Sequence, residues 1–429
     1  MPLKATDVFT PGTFPEHTYV ERSQQGLEQA LRDGLDTPGQ LISLSGPSKS
    51  GKTVLVERVV SKDLLIPITG ASIERAEDVW KKVLDWMDTP ETIIASQSVA
   101  GTVAAELAAK GSLSLPLVAK GEIGTTGKIE GTITSTKESE RSRRGMEQVI
   151  AEIANSDFVV LLDDFHYMPR DIQSDVAKNL KEGVRRGVKI VTAAVSHRGD
   201  DVLRANPELR GRVRTIDLQY WTKDELREIA KVGFTTLNVA VHDDVIDTFT
   251  QESAGSPQLM QSLCLQACFV FNFRQAQAQG EIFPFVINPT EDNLERILEQ
   301  TSAGTDFRTL VDVLDNGPRT RGTERKTYRF LDGGEGDVYT VILKAVAADP
   351  PQLSFSYDEI LKRAAQVCEG ESPAGSSVIT TCAQMAKIAL EKFPKERTID
   401  WDESKFVFDL PDPYLMFYLR WSGRLRNTE

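Results

Sequence analysis

The sequence predicts an α/β chain in which a parallel sheet with helices on both faces is followed by a helical lid-like block and a C-terminal unit of three helices and a hairpin. Three observations carry this. Short apolar runs alternate with segments of helical spacing up to about residue 220, as in a parallel sheet covered on both faces. Beyond Tyr220 the strand runs stop and amphipathic helices follow one another. The last ninety residues then return to three helices and two short strands, the pattern of a winged helix-turn-helix.

Taken in order, Gln25 to Arg32 has helical spacing through Leu27, Ala30 and Leu31, and "QLISLS" (40–45) is a buried strand running into "GPSKSGKT" (46–53). "TVLVERVV" (53–60) repeats apolar residues as a helix does. "LLIPITG" (64–70) is a second strand, and residues 74–88 form a helix with Val79, Trp80, Val83, Leu84 and Met87 inward. From Ile93 to Thr136 small residues and glycines dominate, which reads as an insertion, either a mobile loop or one or two exposed strands weakened by their glycines. Helical spacing returns in 143–155 and 170–187, separated by the strand "FVVLLDD" (158–164) and followed by "VKIVTAAVS" (188–196) and "VRTIDL" (213–218).

"TKDELREIAKVGF" (222–234) opens with Thr222 and Glu225 in the spacing of a capping box. Helices at 242–253, 257–273 and 290–300 complete the helical block, and 302–326 reads as a linker and boundary region. Residues 336–349, 356–367 and 377–393 are the C-terminal helices, with "RTIDW" (397–401) and "KFVFDL" (405–410) as the hairpin. The expected boundaries are 1–220 for the sheet domain with its insertion at about 93–136, 221–301 for the lid, 302–335 for the linker and 336–429 for the winged helix.

A chain of 429 residues has room for more than one core. No apolar run approaches the roughly 20 residues needed to span a bilayer, and the N-terminus lacks a basic segment followed by an apolar one, so the expected compartment is the cytoplasm. The four cysteines, Cys264, Cys268, Cys368 and Cys382, give no disulfide framework and read as core residues. A net charge of −13 argues against a surface that clings to nucleic acid throughout. Local basic clusters stand at 140–145, 184–189 and 319–329.

The chemistry concentrates in residues 46–53. Gly46, Pro47, Ser48, Lys49, Ser50, Gly51, Lys52 and Thr53 satisfy G-x-x-x-x-G-K-[ST] between a strand and a helix. Glycines let backbone amides turn toward a phosphate, the helix N-terminus adds its dipole, Lys52 neutralises the β- and γ-phosphates, and Thr53 offers a hydroxyl to Mg²⁺. "FVVLLDDFH" ends an apolar strand in two acids. Asp163 is placed to hold Mg²⁺ through water, and Asp164 to orient or deprotonate an attacking water. At the tip of the next strand, Ser196, His197 and Arg198 are candidates to sense a γ-phosphate. Arg210, Arg212 and Arg214 precede the last strand, where Arg212 is the candidate finger into a neighbouring subunit's site.

These motifs resemble the AAA+ and STAND branch of P-loop ATPases over about residues 18–275, and more weakly in the C-terminal block. "TYVER" (18–22) resembles the element that lies near the adenine, which implies Tyr19 and Val20 as base contacts. "LLDDF" resembles the STAND form of the metal-binding strand. "AGSPQLMQSLC" (254–264) resembles the G-x-P element of the STAND lid, implying Gly255 and Pro257 against the base. Gln258 stands beside that proline, where most AAA+ proteins carry an arginine. "DLPDPYLMFYLRW" (409–421) is similar to the D-P-containing tail of prokaryotic ATPases of this group.

The resemblance implies ATP or ADP with Mg²⁺, and a nucleotide-controlled switch that acts through homo-oligomerisation or a separate effector protein, with defence against phage or mobile elements among its settings. The alternative is an initiator- or transposition-type ATPase that grips DNA with its winged helix. Helix 377–393 offers only Gln384, Lys387 and Lys392 to a major groove, and the hairpin after it is acidic, which favours a protein-contacting winged helix.

Overall fold

In the computed structural model the described residues are 2–89, 92–95, 139–142, 145–195, 201–277, 285–287, 290–319, 325–394 and 398–425. The centre is a five-stranded parallel sheet of β1 (Leu41–Ser45), β2 (Leu65–Thr69), β3 (Val159–Asp163), β4 (Lys189–Ala194) and β5 (Val213–Asp217), in the order β2-β3-β4-β1-β5. All four pairings are parallel. The order inserts β4 between the strand that feeds "GPSKSGKT" and the strand that ends in the two acids.

Strand burial follows this order. β1 is buried at every position, whereas the edge strand β2 exposes Pro67 and Thr69. Along β3 the pleat divides the side chains between two layers: Val160 and Leu162 join Trp80, Val83, Val176 and Leu180 on one face. Val159 and Leu161 join Leu31, Leu55 and Val56 on the other. Each fully buried Leu of this kind contributes about 1.5–3 kcal/mol. Sheet and covering helices thus fix the C-terminal ends of β1 and β3 side by side with β4 between them.

The helices Lys223–Thr236, Asp243–Glu252, Pro257–Val270 and Glu291–Ala303 form the block after the sheet. Thr222 and Glu225 make the capping box read from their spacing. The N-terminal strap packs here too: Phe9 meets Phe234 at 5.0 Å between ring centroids, and a Cβ on Gly233 would lie 2.2 Å from the Phe9 ring. The stretch read as a linker contains the helix Arg308–Asn316, whose Leu310, Val311 and Leu314 are buried. Their i, i+1, i+4 spacing was hidden among the surrounding glycines and charges.

The C-terminal block comprises helices Val338–Ala347, Tyr357–Val367 and Gly375–Lys392, with strands β6 (Ser354–Ser356), β7 (Asp400–Asp402) and β8 (Val407–Asp409) in the antiparallel order β6-β8-β7. β6 adds a third strand to the hairpin expected from the sequence, with Phe355 opposite Phe408. A last helix, Pro413–Trp421, is capped by Asp412. Its Arg420 makes a two-pronged pair with Glu252 of the preceding block, both side chains under 10% exposed. One continuous apolar cluster joins the two blocks.

Most of the insertion at 93–136 lies outside the described residues. At its base Thr92–Ala95 and Ser139–Ser142 pair antiparallel. The four cysteines are buried. No described helix is long and apolar enough to cross a membrane.

Candidate functional site

The loop from Gly46 to Gly51 joins β1 to the helix Lys52–Val59. A Cβ on Gly46 would lie 2.7 Å from Leu218 Cβ and 2.8 Å from its carbonyl oxygen, so only glycine lets the loop leave β1 against the end of β5. Gly51 turns the chain into the helix at φ +95°, in the left-handed region where a side chain costs energy.

Lys52 follows, 8% exposed. Its Nζ donates to the carbonyls of Gly46 and Pro47 at 2.9 and 2.7 Å. Burial pushes the Lys52 ammonium below the usual lysine range, while the carboxylates of Asp163 and Asp164 pull it the other way. The next residue, Thr53, donates its hydroxyl to Asp163 Oδ2 at 2.6 Å, 110 positions along the chain. The other Asp163 oxygen accepts the Asp164 backbone N–H at 2.9 Å. Asp164 adopts φ +56°, and Gly70, just past β2, allows its close approach: a Cβ there would sit 2.4 Å from the Asp164 carbonyl oxygen.

These residues open on a cavity of about 740 Å³ whose walls include Tyr19, Val20, Ser48, Lys49, Asp163, Asp164, Trp221 and Pro257. In its lining, Phe14 stacks on Tyr19 at 5.9 Å, and the Arg58 guanidinium lies 4.9 Å from the Tyr19 ring. Tyr19 donates its hydroxyl to Glu28 at 2.5 Å. Burial, with that carboxylate, raises the Tyr19 pKa well above its ordinary value.

Three residues that motif reading missed hold this wall in place. Gln261 Oε1 accepts the Thr10 N–H at 3.1 Å, and its Nε2 donates to Thr18 Oγ1 at 2.6 Å. Trp221 Nε1 donates to the Ser50 carbonyl at 2.8 Å. Arg22 lies over the Trp221 ring at 5.1 Å and binds Glu225 and the Gln219 and Tyr220 carbonyls. Their long-range pairings leave no local spacing to read.

Of the residues singled out from the sequence, Ser48, Lys49, Gly51, Lys52, Thr53, Asp163, Asp164, Tyr19, Val20 and Pro257 line one cavity, with Thr53 bonded to Asp163. Gly255 does not join them: at φ +83° it packs against Tyr220, where a Cβ would meet the ring at 3.0 Å. Ser196, His197 and Arg198 lie outside the described residues. Arg212 stands at the opposite end of the sheet, its carbonyl accepting the N–H of Leu41, the first residue of β1. Arg214 faces Asp33 at 3.7 Å.

Among the described residues, five cations of the clusters at 184–189 and 319–329 are matched by acids. Arg185 pairs with Glu182, Arg186 with Glu147 and Lys189 with Asp157. Arg325 pairs with Asp337 and Lys326 with Glu371. On the helix Gly375–Lys392, Lys387 faces Glu391.

No protein-family model matches the sequence, and no curated protein matches it. Among solved structures the chain is similar to a Walker-type ATPase of Pyrococcus abyssi, with 17% identity over 96% of this chain and 98% of that one at a TM-score of 0.48. The Cdc6 protein of Pyrobaculum aerophilum matches at 13% identity over 99% of this chain and 98% of that one, with a TM-score of 0.43. The ORC2 protein of Aeropyrum pernix, solved as ADPNP and ADP complexes, matches at 13% identity over 98% and 97%, with a TM-score of 0.47. At these scores the overlaps add nothing to the chain's own strand order. That order, with the glycine-rich loop after β1 and the paired acids ending β3, is the P-loop nucleoside-triphosphatase fold with an added central strand.

Proposed function

We propose that this chain binds ATP and ADP with Mg²⁺, hydrolyses ATP, and works as a nucleotide-controlled switch of the AAA+/STAND type. The observation that supports this most directly is the meeting of a buried ammonium, a hydroxyl and two carboxylates in the lining of one cavity: Lys52, Thr53, Asp163 and Asp164. The residues fit the ligand. Glycine at 46 lets the loop pass Leu218, and the buried Lys52 Nζ donates to two loop carbonyls, neutral acceptors that a phosphate would replace with charged ones.

Thr53 and Asp163 would hold the metal, which when bound neutralises charge between the β- and γ-phosphates. Lys52 would bind the same phosphates, and the loop amides would orient them. Asp164, held at φ +56° beside Asp163, would position water for attack. Phe14, Tyr19, Val20 and Pro257 would enclose the base, a largely apolar wall with the Tyr19 hydroxyl turned to Glu28. Arg212 would act in a neighbouring copy.

We read the C-terminal block as a winged helix that contacts protein, either a second copy of this chain or a separate effector, because its candidate DNA-reading helix is sparse in cations and Arg185, Arg186, Lys189, Arg325 and Lys326 of the basic clusters are paired with acids. The test is a titration of the full chain with ADP and an ATP analogue in Mg²⁺, followed by DNA binding over a salt series. Lys52→Ala should abolish nucleotide binding, and tight ATP affinity in that variant refutes the cradle. Strong DNA binding that weakens steeply with salt would replace the switch by the DNA-gripping ATPase.

A further inference from the structure

Within the glycine-rich loop, Lys49 is a non-glycine residue at φ +57°, in the left-handed region that a side chain enters only at a cost. Such strain persists where the surroundings hold it, and an observed outlier of this kind points toward a role. What holds Lys49 comes from the far end of the chain. Its Nζ donates to both carboxylate oxygens of Asp412, each at 2.8 Å, and lies 4.6 Å from the Tyr414 ring centroid. Tyr414 in turn places its hydroxyl 2.5 Å from Ser262 Oγ on the helix Pro257–Val270. One loop residue thus ties the cradle to the C-terminal helix, which is itself tied to the lid.

The same block approaches the loop at a second place. A cavity of about 250 Å³ lies between Pro47, Ser48 and Val195 on one side and Asp402, Lys405 and Asp409 of the hairpin on the other. Asp402 and Asp409 of the hairpin, with Lys405 between them, therefore line a space bounded by Pro47, Ser48 and the end of β4. A chain of phosphates seated on the loop would add negative charge beside the Lys49–Asp412 pair.

We infer that Asp412 occupies Lys49 as an internal substitute for nucleotide phosphate, latching the C-terminal block onto the cradle, and that bound triphosphate competes the carboxylate away. This rests on the nucleotide reading of the cavity. The ammonium of Lys49 serves Asp412 with two of its hydrogen bonds, and a phosphate oxygen at the same loop is the stronger, more highly charged acceptor. A triphosphate brings one more negative charge than a diphosphate to the loop whose Lys49 holds Asp412, so it disfavours the latched arrangement more. That supplies the difference in free energy between two nucleotides without which no switch moves.

Asp412→Asn is a clean probe. Asp412 caps its helix by accepting the Tyr414 N–H at 3.0 Å, and asparagine caps a helix as well as aspartate does, so the charge goes while the fold stays. In the full chain, the affinity for Mg²⁺ with AMP-PNP should tighten on the order of tenfold, and that for ADP by less. Hydrogen exchange in the helix Pro413–Trp421 should quicken in Asp412→Asn and in Lys49→Ala, and the double variant should be no faster than either single one. Unchanged AMP-PNP affinity and unchanged exchange in Asp412→Asn, in a chain whose wild type binds both nucleotides, overturn the latch alone. A wild type that binds neither nucleotide overturns the cavity's reading and the competition with it. Additive exchange effects in the double variant show that Lys49 and Asp412 act separately, and also overturn it.

Discussion

Thr53 Oγ1 and Asp163 Oδ2 lie 2.6 Å apart although 110 residues separate them in the chain. β1 and β3 are not neighbours in the sheet, so the contact depends on β4 filling the space between them and on the helix start at Lys52 turning Thr53 back toward β3. If the pair is the metal end of the site, Asp163→Asn keeps the side-chain shape and removes the charge. Nucleotide affinity in Mg²⁺ should then fall about 10- to 100-fold, the range for losing a group that supports a metal through its water. Affinity in EDTA should hardly change. Parallel titrations under the two conditions check it; equal losses in both would make Asp163 a structural residue of the loop.

Asp164 separates from its neighbour by its backbone. At φ +56° it sits where asparagine and aspartate are several-fold enriched, so Asp164→Asn leaves the turn unstrained. Binding should stay within twofold of the wild type, taking twofold as about the spread of a single small contact, while turnover drops about 10²- to 10⁴-fold, the contribution of a positioned acid or base. Steady-state ATPase rates beside equilibrium binding decide it, and full turnover in the variant would remove Asp164 from the chemistry.

Gly70 shows how much of the site lies in residues without a side chain. Its missing Cβ leaves space for the Asp164 carbonyl, 2.4 Å from where that atom would be. Gly70→Ala must move either the end of β2 or the Asp163–Asp164 turn. The variant should lose about 1–3 kcal/mol in denaturant unfolding, the usual range for overpacking, and its ATPase rate should fall further than its nucleotide affinity. A variant as stable and as active as the wild type would mean that the turn is soft.

Lys52 gives the site a pH dependence with a definite sign. Burial lowers its pKa in the folded chain, so between that value and the unfolded one the unfolded chain binds more protons, and its contribution to stability rises with pH across the window. Phosphate affinity runs the other way, because it needs the charged form. ADP affinity should decline as pH rises toward the ordinary lysine range, and the decline should begin below about 10.4. Lys52→Arg, whose guanidinium stays protonated, should bind more weakly at neutral pH but with a flat profile. A wild-type profile as flat as the variant's would remove Lys52 from the phosphate contact.

The sheet was legible because its strands are short apolar runs between helical patterns, and β1, β3 and β4 lie within a residue or two of where those runs place them. The glycine-rich loop between β1 and its helix was legible because its pattern is local: glycines, a lysine and a threonine within eight positions. What escaped was whatever depends on two distant segments. Gln261 reads as one more polar residue in a helix until Thr10 and Thr18 are beside it, and Asp412 reads as a helix cap until Lys49 reaches it. The helix Arg308–Asn316 escaped for a different reason: glycines and charges on both sides masked nine residues whose apolar stripe is only one turn long.

Arg212 tests whether the site is finished by one chain or two. Its carbonyl is level with Leu41 at the start of β1, and the cradle begins five residues on, about 17 Å further along the strand. That is beyond the reach of an arginine side chain, so Arg212 cannot touch phosphates seated in its own loop. A copy packed against that end of the sheet could receive it. Arg212→Ala should therefore leave the turnover of dilute, monomeric protein unchanged and slow that of concentrated, assembled protein by about 10³-fold, the lower end for a finger supplied in trans. ATPase rate per subunit against protein concentration, read beside the oligomeric state from light scattering, is the measurement. A defect that is the same at every concentration would assign Arg212 to the fold of β5, and no defect at any concentration would leave the trans site to another residue.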